Sequence, residues 1–311
     1  MNLSTTFVAP IGSGFGDVII SLPVIQSLID QGKSVVLVCR SFRQQGISER
    51  VVGLKGEILE DKLRLANGDI YLNLRDHPLQ TDHVWGSPEF ESFFGPTNME
   101  KIVATIAADF NIAIDFQNLT PLHFNKRAEI CDAIAFVPGT DAYHKHWPNE
   151  YWLALLNFLK EKKKRVLLIG KPDESPAVKR LLETTEDLNA EHSIEWIATP
   201  TAADAIDLIS NCTAVVSVDT GLMHTAVQQG IPTFTFIHPR DYHQRSAEAC
   251  VNFIANDCPE KCGRQNQPKP GFAAASKLEV GLKFDHRECP LSIEENCMGQ
   301  IKPNDVISKM Q

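Results

Sequence analysis

One stretch decides the fold: Val215-Val216-Ser217-Val218-Asp219-Thr220-Gly221-Leu222-Met223-His224. Its first four residues form a short run rich in valine, which is typical of a strand that is covered on both faces. The run ends in two polar residues and a glycine, and an apolar helical pattern follows. In open α/β sheets ligands bind at the carboxyl ends of the strands, where the following helix presents its N–H groups. The stretch therefore predicts a parallel sheet with a ligand site at its edge.

The same alternation of apolar runs and helical patterns extends along the chain. Patterns such as Glu150–Lys163 and Ala202–Asn211 predict helices, and a last helix is predicted over residues 304–311. The predicted strands are Thr6–Ile11, Val35–Cys39, Ile70–Leu74, Ile112–Phe116, Ala133–Val137, Val166–Ile169, Ile194–Ala198, Ala214–Val218 and Thr233–Ile237. Because these runs are apolar throughout, the predicted class is α/β with mainly parallel sheets.

Length and charge limit what the chain can be. At 311 residues we expect two domains, and the alternation restarts after a polar stretch, which places the boundary near residue 130. The predicted domains are 1–130 and 131–311, the second with a late cysteine-rich loop and a C-terminal helix. The formal net charge of -9 argues against a nonspecific grip on a phosphate polymer, so nucleic acid is not an expected partner.

The sequence also bears on location. The first residues carry no basic region before an apolar stretch, so no signal peptide is expected. No apolar run approaches the roughly 20 residues that span a bilayer, so any membrane contact is expected to be peripheral. We therefore expect a cytoplasmic protein.

A glycine-rich loop, Gly12-Ser13-Gly14-Phe15-Gly16-Asp17, follows the first predicted strand. Gly14 and Gly16 allow a ligand to approach the backbone closely. A dinucleotide-binding fingerprint needs glycine where Asp17 stands, which argues against NAD. A carboxylate beside such a loop suits a general base, and it equally suits a cap for the helix that follows. The residues alone leave both roles open for Asp17.

The second domain offers an anion site. A strand end is followed by Gly139 and Thr140, and Lys145 stands just before a predicted helix. A loop with a small residue, a hydroxyl group and a lysine at a helix start suits an anionic ligand. Taken alone, Lys145 is also compatible with an ordinary solvated surface lysine.

The opening stretch supplies the other half of this anion site. Asp219 or Thr220 can cap the helix, and Gly221 allows a phosphate to approach its N-terminus. His224 stands four residues after Thr220 and is therefore expected to face the same ligand.

Four motifs together resemble one family, the ADP-heptose heptosyltransferases of glycosyltransferase family 9. They are Gly16-Asp17-Val18 with Leu22-Pro23, Ile114-Asp115-Phe116-Gln117, Lys145-His146-Trp147-Pro148-Asn149-Glu150-Tyr151-Trp152 and Val216-Ser217-Val218-Asp219-Thr220-Gly221-Leu222-Met223-His224. The resemblance implies a GT-B fold of two facing Rossmann-like domains, with the acceptor side N-terminal and the donor side C-terminal. It also implies inverting transfer of heptose from ADP-heptose, usually onto the inner core of lipopolysaccharide.

The resemblance assigns roles residue by residue. Asp17 matches the catalytic base, beside the loop glycines Gly14 and Gly16. Donor contacts are implied at Gly139, Thr140, Lys145, Glu174, Asp219, Thr220, Gly221 and His224. The chain has no Asp-x-Asp motif, so we expect no catalytic divalent metal, with Lys145 and a helix dipole handling the charge of the leaving diphosphate.

The acceptor is less closely defined. The N-terminal half is short for the family, and the basic residues available for an acceptor are Arg40, Arg43, Arg75, His77, Lys126 and Arg127. The acceptor could be lipopolysaccharide, another glycan or a protein side chain. A sugar-nucleotide isomerase and a noncatalytic nucleotide-sugar binding module are the alternative functions.

Four of the eight cysteines fall late in the chain, at Cys258, Cys262, Cys289 and Cys297. Four thiolates on two short segments can surround a structural Zn or Fe ion, and an irregular loop gains order from one. Free thiols and disulfides are the alternatives. In the related autotransporter-modifying heptosyltransferases such a quartet holds iron, so the resemblance favours a metal.

Overall fold

The chain divides into two units, each with its own parallel sheet. A computed structural model describes residues 4–82, 84–85, 88–94, 97–140, 143–170, 176–185, 194–239, 242–256, 269–270 and 296–311. Unit 1 comprises Met1–Phe124, Thr201–Ala203 and Gln267–Leu282, and unit 2 comprises Asn125–Pro200, Asp204–Asn266 and Lys283–Gln311. No helix within the described residues has the length and apolar character that a membrane crossing requires.

Unit 1 is built on a four-stranded parallel sheet in the order β3-β2-β1-β4. Its elements are β1 (Thr5–Ala9), α1 (Phe15–Asp30), β2 (Ser34–Cys39), β3 (Glu57–Leu59), β4 (Ile70–Asn73), α2 (Pro78–Thr81), β5 (Val84–Trp85), α3 (Pro88–Phe94) and α4 (Met99–Asp109). The two-residue strand Lys269–Pro270 pairs antiparallel with β5. In the sheet, strand order reverses between β1 and β4, so ligand chemistry is expected at their carboxyl ends.

Helix α1 positions the glycine loop of unit 1. Its apolar residues recur at helical spacing, and Val18, Leu22 and Ile25 are buried. The helix packs against β2 and α4. Each such buried side chain contributes roughly 1.5–3 kcal/mol, so the start of α1 is held firmly beside the end of β1.

The predicted strand at Ile112–Phe116 is wrong. Ile112 and Phe116 are buried, but the segment between them is irregular and pairs with no strand. The carboxylate of Asp115 accepts the Gln117 backbone N–H at 2.7 Å, which forms a local turn that competes with a sheet ladder. Burial of alternate apolar residues produced a strand-like pattern without a strand.

Unit 2 contains a six-stranded parallel sheet in the order β11-β10-β9-β6-β7-β8. Its elements are β6 (Ile134–Val137), α5 (Asn149–Glu161), β7 (Val166–Ile169), α6 (Pro176–Thr185), β8 (Ile194–Ile197), α7 (Ala202–Ser210), β9 (Ala214–Val218), α8 (Gly221–Gln228), β10 (Thr233–Ile237), β11 (Cys250–Ile254) and α9 (Pro303–Met310). Strand order reverses between β6 and β9, as in doubly wound nucleotide-binding sheets. The predicted class, α/β with mainly parallel sheets, is confirmed.

The C-terminal segment closes the core of unit 2. Trp147 and Trp152 are fully buried, and Trp147 stacks on Phe236 of β10 with ring centroids 4.3 Å apart. The indole N–H of Trp147 donates to the carbonyl of Ile301 at 2.8 Å, and Val306 of α9 is buried in the same core. The loop before α5, which carries Lys145, is therefore fixed by the C-terminal segment.

Candidate active site

The clearest candidate site lies at the carboxyl ends of β6 and β9, the neighbouring strands between which strand order reverses. The loop after β6 carries Thr140 and Lys145, and the residues after β9 are Asp219, Thr220 and Gly221. This is the position at which open α/β sheets bind ligands.

Thr220 caps the helix that opens this site. Its backbone is extended (φ -144°, ψ 167°), and its Oγ1 accepts the Met223 backbone N–H at 3.4 Å. Helix α8 begins at Gly221, so no side chain stands at its first residue. A helix N-terminus with a neutral cap keeps its positive field, which favours an anion.

Asp219 is the centre of a charged cluster, which we call the donor cluster: Lys145, Asp219, His224, His243 and Arg245. Asp219 is buried, with Lys145 Nζ at 2.5 Å and His243 Nδ1 at 2.7 Å from its Oδ2. Burial acts to raise the pKa of Asp219, but the charges of His243 and Lys145 and hydrogen bonds from His224 and His243 hold it well below its usual range. Asp219 is therefore an anion at neutral pH.

His224 lies between Asp219 and a buried arginine. Its Nε2 is 3.4 Å from Asp219 Oδ1, and its Nδ1 is 3.3 Å from Arg245 Nη1. Burial, together with the charge of Arg245, lowers the pKa of His224 to about 4, although the hydrogen bond to Asp219 acts to raise it. The ring is consequently neutral at pH 7.

Hydrogen bonds from two side chains, those of His146 and Asn296, fix the loop that follows β6. His146 is buried, and its Nε2 lies 2.8 Å from the Thr140 carbonyl oxygen, so this nitrogen donates. Burial lowers the pKa of His146, which favours a neutral ring. The Asn296 side-chain amide donates to the His146 carbonyl at 3.0 Å. Gly139 and Thr140, both half-buried, are thereby fixed beside the donor cluster.

The corresponding region of unit 1 contains Asp17. Its Oδ2 accepts the Gly14 backbone N–H at 2.8 Å, so the carboxylate caps α1. A Cβ atom at Gly12 would lie 2.4 Å from the same oxygen, which explains why glycine stands there. Ser21 Oγ donates to the Asp17 carbonyl at 2.7 Å and accepts the Ile11 N–H at 3.0 Å. The cap is thus observed, and catalysis by Asp17 stays a prediction.

Gln44 holds the loops after β1 and β2 together. Its buried side-chain amide donates to the carbonyl oxygens of Gly12 at 3.0 Å and Gly14 at 3.3 Å. Its Oε1 accepts the Arg40 backbone N–H at 2.7 Å. The glycine loop is therefore built as a fixed surface.

One arginine, Arg75, interacts electrostatically with Asp17. Burial and the charge of Arg40 lower the pKa of Arg75, whereas nearby carboxylates, including Asp17, act to raise it. Arg40 pairs with Asp76 and, at 3.1 Å, with Glu60. Asp17 thus lies in the positive field of Arg75, which follows β4.

The structure brings most predicted site residues of unit 2 together and adds two. Lys145, Asp219 and His224 contact one another through Asp219, while His243 and Arg245 were not predicted. His243 and Arg245 lie in the segment that follows β10, the neighbour of β9, and this segment is rich in histidine and arginine. Its position next to a predicted ligand-binding edge is the sequence signal that could have identified the two residues.

Several predicted residues cannot be placed. Glu174, Cys258, Cys262 and Cys289 lie outside the described residues, and Cys297 is buried in the core of unit 2. Among the residues that are described, no group of three or more His, Cys, Asp or Glu side chains is arranged to hold a metal ion.

Known proteins resemble this chain in sequence and in fold. Residues 94–251, just over half of the chain, match the profile of "Glycosyltransferase family 9 (heptosyltransferase)". Lipooligosaccharide heptosyltransferase 2 of Haemophilus influenzae is 24% identical over 243 residues, 74% of this chain and 67% of that protein.

Solved structures match the fold over nearly the whole chain. Escherichia coli heptosyltransferase WaaC with ADP-2-deoxy-2-fluoro heptose superposes with a TM-score of 0.66 at 16% identity, covering 98% of each chain. The iron-containing dodecameric glycosyltransferase TibC from enterotoxigenic E. coli gives a TM-score of 0.60 at 13% identity, covering 99% of this chain and 76% of that one. These matches confirm the GT-B fold.

Proposed function

The chain belongs to glycosyltransferase family 9, the heptosyltransferases, and on this premise we propose that it transfers heptose from ADP-heptose, with inversion, to a hydroxyl group of a lipopolysaccharide-type or other glycan acceptor. The observation that carries the proposal is the donor cluster, in which Lys145 and Asp219 meet beside the neutral-capped N-terminus of α8. The names of the related proteins, an H. influenzae lipooligosaccharide heptosyltransferase and E. coli WaaC with a fluorinated ADP-heptose, support this donor and acceptor class.

The donor diphosphate is proposed to bind Lys145 and the N-terminus of α8. Lys145 has a 14% exposed side chain and contacts Asp219. An ammonium group has three donors, so Lys145 can keep its contact with Asp219 and still reach a phosphate oxygen. Thr220 and Gly221 offer a hydroxyl group and a bare backbone to the same phosphates. Asp219 and His224 are the proposed contacts of the sugar.

The proposed reaction uses Asp17 as its base. The Asp17 carboxylate takes the proton from the acceptor hydroxyl as the oxygen attacks the anomeric carbon of the sugar. The bond between that carbon and the diphosphate oxygen breaks with its electron pair leaving on ADP, and the configuration inverts. Lys145 and the dipole of α8 stabilise the charge that develops on the diphosphate. No divalent metal takes part in the proposed steps.

The acceptor is proposed to carry an anionic group. Arg75 follows β4 and interacts electrostatically with Asp17. A guanidinium near the proposed base can form charge-assisted hydrogen bonds with a phosphate or carboxylate near the acceptor hydroxyl. A glycan with such groups satisfies the requirement better than a neutral protein hydroxyl.

A binding and turnover assay tests the proposed function. The purified chain should bind ADP-heptose in calorimetry and release ADP when a lipopolysaccharide core acceptor is added, with UDP- and GDP-sugars as controls. Failure to bind any ADP- or UDP-sugar would contradict the proposal. Donor binding without ADP release on any acceptor would indicate a binding module, and an epimerised sugar without ADP release would indicate an isomerase.

The late cysteines are proposed to bind a structural Zn or Fe ion. TibC, which shares the fold, is described as iron-containing. Cys297 is 2% exposed and lies on a turn next to Asn296, whose side chain holds the loop that carries Lys145. A closed position of this kind suits a structural metal. Metal analysis of protein purified without a histidine tag tests the proposal, and a stoichiometry near zero would remove it.

A further inference from the structure

Arg245 is a fully buried arginine at the edge of the donor cluster, with 2% of its surface exposed. One side chain of β11 fixes its backbone. Asn252 Oδ1 accepts the Arg245 backbone N–H at 3.1 Å, and Asn252 Nδ2 donates to the Arg245 carbonyl at 2.8 Å. This two-point attachment fixes the backbone from which the Arg245 side chain extends, and burial restricts the side chain itself.

The contact between Arg245 and His224 fixes the proton of the imidazole. A guanidinium only donates hydrogen bonds, so His224 Nδ1, 3.3 Å from Arg245 Nη1, must accept and carries no proton. The single proton of the neutral ring is then on Nε2. That nitrogen faces Asp219 Oδ1 at 3.4 Å and can donate to it.

The two oxygens of Asp219 consequently have different partners. His224 faces Oδ1, whereas Lys145 and His243 both contact Oδ2. A neutral His224 donates one hydrogen bond and leaves the negative charge of Asp219 to its cationic neighbours. A doubly protonated His224 would instead form an ion pair with Asp219 and weaken the hold of Asp219 on Lys145.

We propose that Arg245 is a positioning residue that acts through His224: by occupying Nδ1 it keeps the ring singly protonated and so keeps the charge of Asp219 directed at Lys145. The role of Lys145 as a contact of the donor diphosphate rests on the proposed function. The hydrogen-bonded chain itself, from Asn252 through Arg245 to His224, does not.

Within the described part of the chain, the titratable groups that act on His224 are Asp219, Arg245 and His243. Asp219 follows β9, and Arg245 and His243 follow β10; the rings of His224 and His243 are 5.7 Å apart. Asp219 favours a second proton on His224, while Arg245 and His243 oppose it. Removing Arg245 therefore removes both the hydrogen bond at Nδ1 and one of the two opposing charges.

Nitrogen NMR of the histidine ring tests this inference without any donor. In full-length protein labelled with ¹⁵N-histidine, the His224 signals, assigned by their loss in His224→Gln, should show a proton on Nε2 only from about pH 8 to about pH 5.5. In Arg245→Met the ring should take up a second proton with an apparent pKa about one unit or more higher. An unchanged titration in Arg245→Met would overturn the proposal.

Two further variants separate positioning from a general loss of packing. Arg245→Lys keeps a buried cation that only donates, so it should restore most of the wild-type titration. Asn252→Ser leaves the guanidinium in place but frees its backbone, and it should raise the apparent pKa of His224 by less than Arg245→Met does. It also serves if Arg245→Met fails to fold. If Arg245→Lys titrates like Arg245→Met, or Asn252→Ser titrates like wild type, the positioning role is wrong.

Calorimetry with ADP then tests whether the protonation state of the His224 ring affects ligand binding. Relative to wild type at each pH, the ADP affinity of Arg245→Met should fall about two-fold or more between about pH 8 and about pH 5, because the second proton withdraws Asp219 from Lys145. Wild type supplies the reference curve, since the terminal phosphate of ADP itself titrates at about pH 6. A fall of equal size in wild type would contradict the role of Arg245. If ADP does not bind wild type at any pH while the NMR result holds, the proposed function fails and the positioning of His224 stands.

Discussion

Each unit has a helix N-terminus at the point where the strand order of its parallel sheet reverses. The two units differ in the charge of the side chain that caps this helix. In unit 1 the helix is capped by an acid, because Asp17 accepts the Gly14 N–H. In unit 2 the cap is neutral, because Thr220 accepts the Met223 N–H. An acidic cap uses up the positive field of its helix, whereas a neutral cap leaves that field for an anion. The neutral cap therefore supports the proposed phosphate site in unit 2, where the field of the helix stays available.

The surrounding charges extend this contrast. Asp17 lies in the field of Arg75, and its carboxylate occupies the space that a Cβ atom at Gly12 would need. Asp219 is buried and already engaged by Lys145 and His243, so it organises cations more readily than it accepts a proton. Under the proposed function, Asp17 is the carboxylate that acts as base and Asp219 is the one that serves donor binding.

Replacing the acid of unit 1 should have the largest effect. Asp17→Asn keeps a hydrogen-bond acceptor for the Gly14 N–H but loses the basic carboxylate, so transfer should fall roughly 100- to 10,000-fold. Release of ADP in the presence of acceptor measures this. Asp30→Asn, an exposed change in the same helix, is the matched control and should be silent. Near-normal turnover in Asp17→Asn would break the assignment.

Removing the ammonium group of Lys145 should weaken donor binding and leave the carboxylate of Asp17 unaffected. Lys145→Met deletes a charge-assisted contact with the diphosphate, so donor affinity should fall about 10- to 100-fold. Calorimetry with ADP-heptose measures the change, with exposed Lys164→Met as control. Unaltered donor affinity in Lys145→Met would show that the diphosphate binds elsewhere.

Acid should destabilise unit 2 through His224. The folded pKa of about 4 lies below the ordinary 6.5, so the unfolded chain gains the proton first as pH falls. Stability is fully present above pH 6.5 and is lost towards pH 4; the loss from His224 between about pH 7 and about pH 5 should be about 2 kcal/mol. Asp219, whose pKa is also depressed, contributes only at lower pH.

Urea unfolding followed by tryptophan fluorescence measures this pH effect. His224→Gln keeps a neutral donor and acceptor and should remove the part of the slope that His224 contributes, leaving the part from His146 and His77, whose pKa values burial also lowers. Exposed His123→Gln should leave the slope unchanged. A wild-type slope that survives in His224→Gln would show that another group is responsible.

A methyl group in the glycine loop should have the smallest effect. In Gly12→Ala the new Cβ would lie 2.4 Å from Asp17 Oδ2, so the carboxylate must move. Because the end of that side chain is flexible, turnover should fall only about 10-fold, with ADP affinity unchanged. The double variant with Asp17→Asn should be no slower than Asp17→Asn alone, since both act through one carboxylate. Additive losses would place the role of Gly12 elsewhere.

Much of this arrangement could be predicted because it is local in sequence. Apolar runs followed by glycine and polar residues indicate the ligand edges, and these patterns identify Asp17, Lys145 and Asp219 from the sequence alone. Thr220 was one of two predicted caps, and its contact with the Met223 N–H settles the choice.

The remainder depends on contacts that no local pattern carries. Arg245 reaches His224 because β10 lies beside β9 and because Asn252 of β11 fixes its backbone. The wrong strand prediction at residues 112–116 has a similar cause. The apolar spacing there reflects burial, whereas the turn at Asp115 depends on one side-chain hydrogen bond. Neither the order of the strands nor these side-chain hydrogen bonds can be inferred from local sequence patterns.

The division of labour between the two carboxylate regions is tested most directly by titrating ADP into three proteins under one condition. Wild type and Asp17→Asn should bind ADP with equal affinity, and Lys145→Met should bind about 10-fold or more weakly. Loss of affinity in Asp17→Asn comparable to that in Lys145→Met would contradict the account, as would the absence of ADP binding by wild type.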